Sequence, residues 1–140
     1  MKKLMVSFCS VIITVLLCSC GIPAQKQECF FMPESFMCDV FVTINDVDYS
    51  GVLERKDCEY SFTVTKPESM TGLVVITENG EYTAYFKYNE CPIGSDSEFF
   101  LSEIISFIEQ SVGNEVEASS ENDSYIITHD AFSLVFPASV

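Results

Sequence analysis

Phe36-Met37-Cys38-Asp39-Val40-Phe41-Val42-Thr43-Ile44 is the stretch whose reading decides the fold. Phe36, Cys38, Val40, Val42 and Ile44 share one parity, and Met37, Asp39, Phe41 and Thr43 share the other. A period of two sustained over this length is a strand with one buried face. Asn45-Asp46-Val47-Asp48 supplies turn residues after it. Tyr49 to Arg55 reads as a second strand, with Tyr49, Gly51 and Leu53 on one side, and Lys56-Asp57 turns the chain again. Tyr60, Phe62 and Val64 then alternate with Glu59, Ser61, Thr63 and Thr65 until Pro67 ends a third strand.

Working outward, Leu73 to Thr77 and Glu81 to Tyr88 flank Asn79-Gly80. Both turn residues accept the positive φ of a type I′ turn, the strongest short-range hairpin signal. Tyr82, Ala84, Phe86 and Tyr88 face one way; Glu81, Thr83, Tyr85 and Lys87 face the other. The result is a five-stranded meander. A helix follows, with Ser95 and Glu98 as a capping box and Gly113 just past its last apolar residue. Phe100, Ile104, Phe107 and Ile108 make its stripe, with Leu101, Ile105 and Val112 beside them and Phe99 at the margin. Ser102, Glu103, Ser106, Glu109 and Gln110 lie opposite. Asn114 to Ser124 reads as an acidic, polar loop, and Tyr125 to His129 with Phe132 to Phe136 as a last hairpin around Asp130.

The expected fold class is therefore α+β: about seven strands in a curved antiparallel β-meander, at most an incomplete barrel, covering one amphipathic helix. It occupies residues 36–140 as one domain. Between sheet and helix, Phe62, Tyr82, Phe86, Phe100, Ile104 and Phe107 are the expected walls of an apolar ligand site. The same residues can equally fill the core, since burial is the ordinary role of aromatic side chains at this spacing.

Upstream of the domain, Met1-Lys2-Lys3 begins a positive n-region, Leu4 to Leu17 an apolar h-region, and small residues follow. Spanning a membrane takes about 20 predominantly apolar residues. Here Ser19, Gly21, Pro23 and Gln25-Lys26-Gln27-Glu28 break the run. Leu17-Cys18-Ser19-Cys20 resembles the lipobox of bacterial lipoproteins, with an aliphatic residue three before a cysteine and Cys18 standing where that family usually has alanine, serine or threonine. The resemblance implies that residues 1–19 are a signal peptide, that Cys20 carries a diacylglycerol thioether, and that the chain is cut just before it. Residues 20–35 are then the lipidated cysteine and tether, although Cys29-Phe30-Phe31-Met32 suits a short strand, a membrane-contacting patch or part of the core. The partner so implied is the membrane itself, through the N-terminal lipid, and the location is the extracytoplasmic face of a bacterial membrane. Two or more acyl chains on one residue meet the requirement for stable anchoring, because a single chain binds only marginally.

Hydrophobic residues form 48% of the 140 and aromatics 13%, which excludes a disordered chain. With Lys2 and Lys3 in the leader, Lys26, Arg55, Lys56, Lys66 and Lys87 face all 21 acids, a net charge of −16. That balance excludes nucleic acid as a partner and repels anionic headgroups. Cys29, Cys38, Cys58 and Cys91 are an even number in an exported chain, able to form two disulfides by any of three pairings; buried free thiols are the alternative. Spacings of 9, 20 and 33 residues contain no C-x-x-C, and His129 is the single histidine, so neither metal nor cofactor is expected.

The run from Asp46 to Tyr88, with Asp-Val-Asp-Tyr-Ser-Gly-Val-Leu-Glu-Arg, then Thr-Lys-Pro-Glu-Ser-Met-Thr-Gly-Leu, then a glycine turn with aromatics, looks like the meander of LolA-like lipoprotein carriers. The resemblance covers about a third of the chain, and implies an incomplete barrel around helices with a cavity for acyl chains. Two functions follow: binding of a hydrophobic ligand or acyl chain, or a surface-held module that offers sheet edges and loops to an envelope protein. Catalysis is not expected. His129 beside Asp130 lacks a positioned nucleophile and reads as a turn pair, and Asp46 with Asp48 lacks the rest of an EF-hand loop. Asp96 and Glu98 oppose the helix dipole. On this reading, Cys20→Ala releases the protein from membranes. A mutant still bound after carbonate washing would refute the lipid anchor.

Overall fold

Hairpin turns set the frame. Asn45-Asp46, Asp57-Cys58, Asn79-Gly80 and Asn122-Asp123 each place two consecutive residues at positive φ, between 49° and 81°. Asparagine, aspartate and glycine tolerate this region best, and two such residues in sequence give the turn whose twist matches that of the flanking strands. A computed structural model describes residues 27–87, 89–91 and 100–138. Residues 1–19, Cys20, the Ser95 and Glu98 cap, Asp96, Tyr88 and Phe99 lie outside them.

Ten strands form one antiparallel sheet among the described residues. In chain order they are β1 Gln27–Phe31, β2 Phe36–Ile44, β3 Val47–Lys56, β4 Glu59–Lys66, β5 Leu73–Glu78, β6 Glu81–Phe86, β7 Asn89–Cys91, β8 Glu115–Glu121, β9 Ser124–His129 and β10 Phe132–Pro137. A 3-10 turn, Glu68–Met70, lies between β4 and β5, and helix α1, Phe100–Ser111, between β7 and β8. The spatial order is β1-β8-β9-β10-β2-β3-β4-β5-β6-β7, so β1 and β7 are the two ends and the sheet does not close. Mainly β with one α-helix among the described residues, the fold is coarsely α+β.

The meander from β2 to β6 keeps the expected faces. Phe36, Cys38, Val40 and Val42 are buried, as are Leu53 on β3 and Tyr60, Phe62 and Val64 on β4. The last hairpin is also present, but its place is central: β10 pairs with β2 through Phe132↔Val42 and Leu134↔Val40, in mid-sheet.

Three segments differ from expectation. Glu115–Glu121 is a strand rather than a loop, since β1 and β9 flank it and use its backbone groups. The sheet begins at Gln27 rather than Phe36, because Phe30 and Met32 enter the core while Cys29 and Phe31 face outward. Asn89–Cys91 adds a short strand on β6. The connection after β1 is held to the end of α1 by Met32 N–H on the Asn114 carbonyl and Gly113 N–H on the Met32 carbonyl, both at 3.0 Å.

Helix α1 covers the buried face. Leu101, Ile104 and Ile108 are at most 1% exposed. Phe100 stacks on Tyr49 at 5.9 Å and meets Phe62 edge-on at 5.7 Å, while Phe107 meets Phe132 at 5.7 Å. Phe30, Phe36 and Phe136 close the opposite flank, with ring centroids 4.7 and 5.1 Å apart. None of the described helices is long and apolar enough to cross a membrane.

Gly51 makes room for the Phe62 ring. A Cβ there would lie 2.6 Å from Phe62 Cζ and against the Thr63 carbonyl oxygen, at the point where the β3–β4 register shifts. A backbone oxygen cannot move aside without breaking the ladder. Gly51→Ala is therefore expected to cost about 3 kcal/mol. Gly80→Ala, in open space at φ +81°, costs about 1 kcal/mol for its backbone conformation alone. Urea midpoints of the two variants measure the difference; equal losses would mean that β3 and β4 separate easily.

Candidate functional site

Arg55 continues the core parity of Tyr49, Gly51 and Leu53, so the strand period carries a guanidinium inward. It is 5% exposed. A buried guanidinium needs compensating acceptors, and an unpaired one costs several kcal/mol. Its Nε donates to Tyr60 Oη at 2.9 Å and lies 3.3 Å from Glu109 Oε1, to which Nη2 donates at 3.1 Å. Nη1 donates to the Glu34 carbonyl, and Nη2 also reaches Cys58 Sγ at 3.8 Å. The Tyr60 hydroxyl donates to the same Glu109 oxygen. One carboxylate on the last turn of α1 thus joins the helix to β3, to β4 and, through the arginine, to the β1–β2 connection. The helical period puts Glu109 on the polar face. It lies at the border of that face, within reach of the sheet.

The cluster tunes its own charges. The hydrogen bond from the Tyr60 hydroxyl, against an upward pull from burial and with help from the Arg55 guanidinium, holds the Glu109 carboxyl below the usual carboxylate range. Burial and then the hydrogen bond to Glu109 push the Tyr60 phenol up. The three groups therefore stay as a cation, an anion and a neutral phenol across the neutral range.

Beside this cluster the β3–β4 and β5–β6 turns and the helix enclose an open groove of about 410 Å³, with Tyr60, Thr77, Tyr82, Ile105, Glu109 and Cys58 among its lining. Of the six expected ligand walls, Tyr82 faces this groove. Phe62 and Ile104 are fully buried core, with Phe62 1% and Ile104 0% exposed. Phe86 is partly exposed, and a lysine ammonium, that of Lys87, lies 5.2 Å from its ring. Phe100 and Phe107 pack against the core from the helix. The six divide between the packed layer and its rims.

The four domain cysteines are free thiols in the structure, and the two expected disulfides are not formed. Cys29 is exposed on β1, Cys38 buried on β2, Cys58 exposed in the β3–β4 turn and Cys91 on β7 at the far end of the sheet. A disulfide needs Cα atoms within about 7 Å, and no two of these cysteines lie on adjacent strands at one level. Burial and then the Asp39 charge push the Cys38 thiol up to about 12. It is an inert core residue at neutral pH. Cys20 lies outside the described residues. Compared with protein families, curated proteins and solved structures, the chain matches none.

Because the folded Glu109 carboxyl titrates below its unfolded value, its contribution to stability is full above about pH 4.5 and disappears as the pH falls through the folded value. The side chain is half exposed, so solvent screens the pair. Glu109→Gln is expected to lower stability at pH 7 by about 1 kcal/mol, and the gap to the parent protein to narrow when the pH is lowered from 7 to 3. Urea unfolding at both pH values checks this; an unchanged gap would show that Arg55 is served by its other acceptors alone.

Proposed function

We propose that the chain is a lipoprotein held through Cys20 on the extracytoplasmic face of a bacterial membrane, and that its domain is a protein-interaction module rather than a container. The observation that carries this reading is the distribution of apolar surface. Between sheet and helix, Phe62, Leu101, Ile104 and Ile108 are at most 1% exposed, so the apolar layer is spent on its own packing. On the other face of the sheet, Met37 is 55% and Phe41 50% exposed, with Ile76 farther along, and Phe31 is 62% exposed on the terminal strand β1. Large apolar side chains left on a strongly acidic surface suit contact with another macromolecule. Terminal strands suit pairing with another chain. The partner class is an envelope protein, within reach of a domain tethered by a few residues to its lipid. The lipobox resemblance at Leu17-Cys18-Ser19-Cys20 supports the anchor.

A second reading, binding of an acyl chain or other hydrophobic ligand, draws on the groove of about 410 Å³ beside Tyr82 and Ile105, and on the resemblance of residues 46–88 to LolA-like carriers. In that version the sheet curls around α1 as an incomplete barrel and the groove is its mouth. Native mass spectrometry of the fragment Gly21 to Val140, purified without detergent, separates the two. Bare protein at the calculated mass is the expected result. An added mass that is lost on denaturation and extracts as lipid would favour the carrier and make Phe86 and Phe107 the residues to substitute. A photo-crosslinking side chain at Phe41 is further expected to capture an envelope protein in cells, whereas one at Ser106, exposed on the helix in the other layer, is not. Equal capture at both positions would refute a directed docking face.

A further inference from the structure

His129 ends β9, and its ring is held between two phenylalanines, 4.7 Å from Phe107 and 5.0 Å from Phe132. Its Nδ1 is shut off from solvent yet has no hydrogen-bond partner. A buried imidazole nitrogen without a partner is uncommon and calls for an explanation. Asp130 Oδ2 lies 3.8 Å from that atom, too far for a hydrogen bond. Glu103, reaching over from the first turn of α1, completes a group of three ligand atoms within 4.8 Å of one another.

From this arrangement we propose that His129, Asp130 and Glu103 bind one divalent transition-metal ion of the zinc class. Ligand atoms about 2.0–2.2 Å from a tetrahedral ion stand about 3.4 Å apart. The 3.8 Å separation is thus close to what an ion requires, and the two exposed carboxylates can swing the remaining distance. The imidazole needs no such search, because the two phenylalanine rings already fix its plane, and a ligand held in place by its neighbours loses little freedom on binding. One imidazole with two carboxylates suits zinc, cobalt or nickel. Calcium and magnesium prefer all-oxygen shells. Three protein ligands leave room for water in the remaining positions.

The ion would have a mechanical effect. Glu103 belongs to the helix and His129 with Asp130 to the β9–β10 turn, so coordination ties the start of α1 to the last hairpin, whereas Glu109 ties its end to β3 and β4. This proposal is independent of whether the domain binds a protein or a lipid.

The test is titration of the full chain in detergent micelles with zinc chloride. His129 is the only histidine, so a single imidazole signal reports on the site in two-bond proton–nitrogen spectra. One equivalent is expected to bind, to move the Nδ1 resonance and to raise the melting temperature, with no response to magnesium at the same concentration. Glu103→Gln and Asp130→Asn change exposed side chains and leave the fold intact; each is expected to weaken zinc binding about 10-fold or more, and His129→Gln to abolish it. Zinc taken up while the imidazole signal stays still would place it on the exposed thiols of Cys29 or Cys58 and overturn the proposal. So would unchanged affinity in the two carboxylate variants, or the absence of any uptake.

Discussion

One face of a ten-stranded sheet has to be kept from water, and α1 is the helix that the described residues offer for the task. Backbone hydrogen bonding is satisfied strand by strand, but the apolar face of β2, β3, β4, β9 and β10 gains its stability only when covered. Twelve residues of helix make a small lid. They succeed because the stripe is wide, with Leu101, Ile104 and Ile108 pressed to the sheet and Phe100 and Phe107 reaching to either side. The aromatic cluster of Phe30, Phe36 and Phe136 covers the flank that the helix does not reach.

A lid this small also has to be held in register, and polar contacts do that where apolar ones would let it slide. Arg55 is the instructive case. Hydrophobic packing would accept a leucine at the end of the β3 core row, whereas an arginine there constrains Tyr60, Glu109 and the Glu34 carbonyl at once. Buried ionic groups contribute orientation more dependably than net stability. The arrangement at the other end of the helix has the same logic, with Phe107 packed on His129 and Glu103 above it. Both ends of α1 therefore meet the sheet through side chains of opposite or complementary character.

The filled interior and the exposed Phe41 and Met37 bear on function together. A chain of this length has a limited number of large apolar residues, and those used in close packing between layers are lost to a ligand cavity. Those on the outer face remain available for contact.

The meander from Phe36 to Phe86 was legible because each strand has one wet and one dry face, so parity alone assigns its residues. Asn79-Gly80 was legible because few residue pairs accept two positive φ values in succession. Glu115–Glu121 was not, since its inward positions hold Val116 and Ala118 among acids and serines, and only β1 and β9 make it a strand. Arg55 stood on the core parity in plain view, but its partner 54 residues away on another element was not a local property. Of the six expected wall residues, Phe62 and Ile104 are buried and the others partly exposed; whether such residues surround a space or fill it depends on how closely two layers approach. By itself the sequence determined strand faces, turns and helix stripe, because these follow from local periodicity and backbone preference. Strand order, the central place of the last hairpin, the free cysteines and the Arg55–Glu109 tie were decided by tertiary structure, because they depend on distances between segments that local chemistry does not encode.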